Sequence, residues 1–168
     1  MGQSELTKSF RSEAELIDSA GLFAQVLRSA GCRPLVIGLA GTLGSGKTTW
    51  ARAMLRGLGY QGRVPSPTYT LLEQYDLGDL TVVHLDLYRL AGDAELENLG
   101  VRDWLADAST WVVFEWPERA PSLARRCDLT LEFTDSGDNS RRVRMTATTP
   151  AGIVALQHSY QAGVSNER

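Results

Sequence analysis

Residues 34–50 read PLVIGLAGTLGSGKTTW, an apolar run that leads through a loop with three further glycines to a lysine and two threonines. Glycine costs conformational entropy and brings nothing to a core, so such a cluster needs a reason. The run LVIGLAG is short and bounded by glycine, which predicts a buried strand. KTTWARAMLRGLGY predicts a helix that stops near Gly57 to Gly59. Between them, Gly41, Gly46, Lys47 and Thr48 occupy every fixed position of G-x-x-x-x-G-K-[ST], in the strand–loop–helix setting that this pattern requires.

The physics of that pattern is anion capture. Main-chain N–H groups of a wrapped loop converge on phosphate oxygens only where side chains do not obstruct them. The helix that follows adds its unpaired first amides and the positive end of its dipole. Gly41, Thr42, Leu43, Gly44, Ser45, Gly46, Lys47 and Thr48 are therefore the expected triphosphate cradle. Within it Lys47 would reach the β and γ phosphates, and the Thr48 hydroxyl would bind Mg2+.

A phosphate loop also needs an acid at the end of a neighbouring strand to hold Mg2+, directly or through water. Glu115 ends the apolar run WVVF, which places it where open α/β sheets bind ligands. Asp86 lies in VVHLDLY, where period-two alternation sets His84, Asp86 and Tyr88 opposite Val83, Leu85 and Leu87. Both acids are candidates; the competing reading of each is a structural ion pair with Arg89, Arg102 or Arg119. In VPSPTYT, Pro65 and Pro67 stiffen the chain around Ser66 and Thr68, so Thr68 is a candidate hydroxyl for sensing the γ-phosphate, against the plainer reading of a proline turn. His84 reads as a satisfied strand histidine, and Trp116 as packing or a lid over the site. The arginines at 125, 126, 141, 142 and 144 fit a solvated face, a partner surface or a tRNA-facing patch equally well.

Composition narrows the class further. With 168 residues, 43% of them hydrophobic and 22% charged, the chain is of ordinary globular make-up and of a size for one domain, expected over residues 1–156 with a loose tail over 157–168. A net charge of −3 argues against a protein whose main task is gripping nucleic acid through its phosphates. Cys32 and Cys127 form no metal-type spacing and are expected as reduced, buried thiols. No run approaches the roughly 18 apolar residues of a membrane span, and a cytoplasmic location is expected. N-K-x-D and LSGGQ are absent, and no D-x-x-G switch sequence follows the glycine loop, which disfavours GTPase and ABC-type readings.

Along the chain, residues 12–30 begin with Ser12 and carry Glu15 three positions on, a capping pattern that predicts a helix. TYTLLEQY and LTVVHLDLY flank the turn-rich DLGD and predict a β-hairpin; CDLTLEF and RRVRMTAT predict a second. DAELENLGVRDWLAD reads as a helix capped by Asp93. The expected architecture is α/β: a P-loop NTPase-like three-layer sandwich whose sheet is mixed, mostly parallel, with antiparallel hairpins.

In order, GLAGTLGSGKTTWARAMLRGLG, VPSPTYTLLEQY, HLDLYRL, ELENLGVRDWL and VVFEWPER resemble the bacterial TsaE (YjeE) family over about residues 35–119, with a weaker echo in the first helix and last hairpin. Distinctive are S-P-T-[FY], H-x-D-L-Y-R and E-W-P-E in that order. The resemblance implies Mg2+-dependent binding and hydrolysis of ATP, and action with the partners TsaB and TsaD in forming threonylcarbamoyladenosine at position 37 of tRNAs that read codons beginning with A. It implies that tRNA itself is contacted indirectly. By residue, it implies Gly41 to Thr49 around the triphosphate, Thr49 included, with Thr48 and Glu115 on Mg2+, Thr68 as a switch-like hydroxyl, Asp86 orienting water or a metal-bound water, and Trp116 close to the nucleotide. Ser12 and Arg141 become nucleotide-contact candidates. The chain departs from the family's usual pattern in carrying Thr42 for Asp, Ser45 for Ala and Ile17 for Thr. Without the resemblance, a nucleotide-gated binding module and a small-molecule kinase compete with the ATPase.

Overall fold

Seven strands assemble into one sheet: β1 (Ser4–Phe10), β2 (Leu35–Gly41), β3 (Leu72–Asp76), β4 (Thr81–Asp86), β5 (Thr110–Glu115), β6 (Leu129–Gly137) and β7 (Ser140–Ala147), in the order β1-β7-β6-β2-β5-β4-β3. The computed structural model describes residues 4–163. The run β6-β2-β5-β4 pairs in parallel, and the outer pairs are antiparallel. Parallel pairs thus hold the centre and number as many as the antiparallel ones on the flanks. The division follows from composition. A parallel strand is covered on both faces and reads as a continuous apolar run, as in β5, where every residue is buried. Both expected hairpins are present, as β3–β4 and β6–β7.

Helices α1 (Glu13–Ser29), α2 (Lys47–Gly57) and α6 (Pro150–Gln161) cover one face of the sheet. The short helices α3 (Asp93–Asn98), α4 (Val101–Ala106) and α5 (Pro121–Ala124) cover the other, giving three layers. The first core centres on Trp50, with Phe10, Phe23 and Phe133 at ring-centroid distances of 6.2, 5.6 and 5.8 Å. Burying each such side chain contributes about 1.5–3 kcal/mol, so the helix behind the glycine loop is anchored by its own first turn. Helices α1 and α2 meet backbone to backbone: a Cβ added at Gly57 would stand 2.4 Å from the Gly21 carbonyl oxygen.

Several local expectations are revised. The Ser12 side chain does cap α1, accepting from Glu15 N at 3.2 Å, while the Glu15 carboxylate accepts from Arg11 N at 2.8 Å. Residues 93–106 form two helices, because Gly100 turns left-handed at φ 70° between them. Asp93 caps neither; its carboxylate accepts from Ser122 N at 3.2 and 3.4 Å and ties α3 to α5. Strand β1 was not foreseen, since an edge strand such as SELTKSF buries only Phe10 and shows little apolar pattern. Helix α6 was missed as well, and the tail expected to be loose from residue 157 is helical to Gln161. Its signal was Thr149 followed by Pro150, where the threonine hydroxyl accepts from Gly152 N at 3.1 Å. Residues 164–168 of that tail lie outside the described residues. Cys127 is buried and Cys32 partly so, both free. Among the described residues no helix is long and apolar enough to cross a membrane.

Candidate functional site

The parallel register sets the site. Leu39 of β2 and Asp86 of β4 both pair with Glu115 at the end of β5, so three strands finish together beside the loop that leaves β2. Gly41 turns there at φ 146°, where a Cβ would meet Ser45 Oγ at 2.6 Å and the Phe133 carbonyl oxygen at 2.7 Å. No other residue fits. Gly46 precedes α2 at φ 112° and offers no side-chain cap, leaving the first amides of α2 free to meet an anion.

Lys47 lies almost wholly inside, 4% exposed. Its Nζ donates to the carbonyls of Gly41 and Thr42 at 2.6 and 2.8 Å and sits 4.0 Å above the centre of the Trp116 ring. Burial holds its pKa below the ordinary 10.5, against the opposing pull of Glu115, Glu118 and Asp86. Trp116 takes a left-handed conformation at φ 64°, a strained state for a bulky residue. Its main-chain N–H donates to the Leu39 carbonyl at 3.1 Å, and its ring packs 4.9 Å from that of Tyr88.

The Thr48 hydroxyl donates to Glu115, 2.9 and 3.0 Å from the two carboxylate oxygens. Glu115 also accepts from Nε2 of buried His84 at 2.9 Å. Asp86 accepts from the Thr68 hydroxyl at 3.1 Å and from Tyr88 N at 3.0 Å, and Ser66 and Thr68 share a hydrogen bond of 2.7 Å. Among the described residues neither acid pairs with an arginine, and Arg102 bonds Glu97 instead. The competing ion-pair reading therefore fails for both.

These groups line one cavity of about 630 Å3. Leu43, Gly44, Ser45, Gly46, Lys47, Thr48, Thr49, Ser12, Thr68, Asp86, Glu115, Trp116 and Arg141 all border it. Gly41 and Thr42 do not; they lie beneath, giving their carbonyls to Lys47. Tyr88, Arg89 and Asn139 border it too and were not singled out, although Tyr88 and Arg89 stand in the same HLDLYR segment as Asp86. Arg89 stacks 5.0 Å from the Tyr69 ring. Arg141 donates to Asp135 at 3.3 Å and to the Ser140 carbonyl at 3.0 Å, and Arg144 pairs with Glu132. Much of the last hairpin's positive charge is thus answered across its own strands.

The donor set fits a small hard cation. Thr48 and Glu115 offer oxygen alone, and Mg2+ is typically held by one or two such groups together with substrate phosphates and water. Among the described residues no group of three or more His, Cys, Asp or Glu gathers as a protein-only metal cage. The uncapped start of α2 and the enclosed ammonium of Lys47 fit a polyphosphate in the same cavity.

The sequence profile described as threonylcarbamoyl adenosine biosynthesis protein TsaE matches residues 10–143. The tRNA threonylcarbamoyladenosine biosynthesis protein TsaE of Haemophilus influenzae is 36% identical over 148 residues, spanning 88% of this chain and 92% of its own. The protein of the same description from Bacillus subtilis is 33% identical over 112 residues, spanning 67% and 69%. The crystal structure of Bacillus subtilis YdiB shares the fold, with a TM-score of 0.75 at 23% identity over 96% of this chain and 97% of its own.

Proposed function

The chain belongs to the TsaE family, and from that premise we propose that it is a Mg2+-dependent ATPase of tRNA threonylcarbamoyladenosine biosynthesis. In this reading it works in the cytoplasm with TsaB and TsaD, which modify adenosine 37 of tRNAs reading codons that begin with A, and its own contact with tRNA is indirect. The main chain of residues 41–49 holds the triphosphate, and Lys47 meets its β and γ phosphates. Thr48 and Glu115 hold Mg2+, which when bound neutralises charge on the phosphate oxygens. Asp86 orients the attacking water, Thr68 senses the γ-phosphate, and Trp116 closes over the nucleotide. Ser12 and Arg141 reach it from α1 and β7. The hydrolytic cycle resets the TsaB–TsaD assembly between turnovers and does not itself transfer the group.

One observation carries this reading: the Thr48 hydroxyl and the Glu115 carboxylate stand within 3.0 Å of one another beside an enclosed Lys47. The test is ATP turnover with and without TsaB and TsaD. Lys47→Ala and Glu115→Ala abolish it while the domain stays folded; turnover near normal in both variants refutes the assignment.

A second reading, a nucleotide-gated binding module without significant hydrolysis, draws on Asp86. Each of its oxygens already accepts a hydrogen bond from the protein, which leaves less capacity for a water. Single-turnover kinetics separate the two, since a pure binding module shows no partner-stimulated hydrolysis.

A further inference from the structure

His84 and Glu115 are both shut away from solvent, 1% and 2% exposed, and their bond of 2.9 Å joins Nε2 to Oε1. A carboxylate oxygen only accepts, so Nε2 carries the hydrogen and donates. Among the described residues Nδ1 is buried with no partner. Both oxygens of Glu115 accept from Thr48, and Oε1 alone also accepts from His84. The two donors differ in kind. The Thr48 hydroxyl sits on the helix behind the glycine loop, within reach of whatever that loop holds, whereas the imidazole is fixed on β4 and its Nε2 bonds nothing but Glu115 among the described residues.

Strand register explains the placement. In the β4–β5 pair His84 lies opposite Val113 and Asp86 opposite Glu115, and period-two alternation turns His84 and Asp86 to one face. His84 therefore reaches the glutamate diagonally from one step deeper in the sheet. A buried carboxylate at a strand end needs a donor that does not leave when cargo arrives, and among the described residues this histidine is the donor from the sheet side.

We propose that His84 is the positioning residue of Glu115: by holding Oε1 from within the sheet it keeps the carboxylate turned toward Thr48, so that the two together bind a divalent cation. The proposal rests on the reading above in which Thr48 and Glu115 hold Mg2+. Histidine here works as a fixed hydrogen-bond donor, and the nucleotide cradle does not depend on it.

Three chains test it: the unsubstituted protein, His84→Leu, which loses the donor, and His84→Gln, whose amide can still donate to Oε1. The readings are the Mg2+ concentration at half-maximal binding of a fluorescent ATP analogue, Mn2+ binding by electron paramagnetic resonance, and affinity for the analogue in EDTA. His84→Leu raises the metal requirement by about 10- to 100-fold, His84→Gln restores most of it, and affinity in EDTA is the same in all three. Should His84→Leu not fold, His84→Asn, whose shorter amide falls away from Oε1, is read in its place. An unchanged metal requirement in the folded donor-less variant overturns the proposal, as does a loss in EDTA as large as that in Mg2+, or a failure of His84→Gln to restore binding. If the unsubstituted chain binds nucleotide without regard to metal, the Mg2+ reading falls with it; metal dependence there with an indifferent His84→Leu sinks the histidine alone.

Discussion

The Thr48 hydroxyl stands 2.9 and 3.0 Å from the two carboxylate oxygens of Glu115, although 67 residues separate them in the chain. Parallel pairing of β2 with β5 creates this closeness, since it brings the end of one strand beside the loop that leaves the other. Both groups are hard oxygen donors, and both point into the cavity that Lys47 enters from below.

Thr48→Ala removes one oxygen of that pair and leaves Glu115 short of a donor. Metal-dependent nucleotide affinity falls by about 1–3 kcal/mol, while Thr48→Ser, which keeps the hydroxyl, stays near the unsubstituted value. Isothermal titration calorimetry in Mg2+ and in EDTA measures both; equal behaviour of the alanine and serine variants contradicts the pairing.

Lys47 predicts a pH dependence. Its pKa in the free protein lies below 10.5 because burial disfavours the ammonium, and a polyphosphate prefers the charged form. Affinity therefore declines as pH rises through that lowered pKa, earlier than an ordinary lysine would give. For folding the sign is opposite: the unfolded chain binds the proton more tightly, so this group's penalty on stability is lifted as pH climbs from the folded pKa towards 10.5. Nucleotide titrations and thermal melts across pH 8–11 check both signs.

Trp116 lies over the Lys47 ammonium at 4.0 Å. When Lys47 turns to phosphate this contact breaks, and indole emission changes. In Trp116→Phe most of the change is lost, though Trp50, Trp104 and Trp111 remain. A full signal in that variant places the reporter elsewhere.

Thr68→Ala withdraws a hydroxyl from Asp86. Nucleotide binding is retained and turnover drops, by roughly 10²- to 10⁴-fold if Asp86 acts on the water as a general base. A loss of affinity with unaltered turnover argues instead that Thr68 serves binding.

Gly57→Ala drives a methyl group to 2.4 Å from the Gly21 carbonyl and forces α1 away from α2. The cost is about 1–3 kcal/mol, a fall in Tm of roughly 2–4 °C for each kcal/mol. Thermal unfolding reads it, and an unshifted Tm refutes the close crossing.

The glycine loop between β2 and α2 could be read directly because its signal is local. Consecutive residues supply the glycines, the lysine and the hydroxyl, and the apolar run before them announces a strand. Alternation and apolar runs mark Glu115 and Asp86 as strand-end acids, and only the family resemblance sets Glu115 beside Thr48. Helix α6 carried a cap signal in Thr149 and Pro150 that a polar tail obscured. Strand β1 offered almost no signal, since its place comes from pairing with β7 and hardly from its own side chains. Alternation puts Tyr88 on the face of Asp86 and Arg89 enters only as an ion-pair candidate; that both border the cavity comes from the fold.

Contiguous residues thus dictated the cradle, the helix start behind it and the apolar core strands, since main-chain conformation and side-chain period act over short range. Which acid meets Thr48, that His84 holds that acid from behind, and that Trp116 covers Lys47 were decided by the folded sheet. Those relations depend on strand order and register, which are set by the burial of the whole core and written in no single segment.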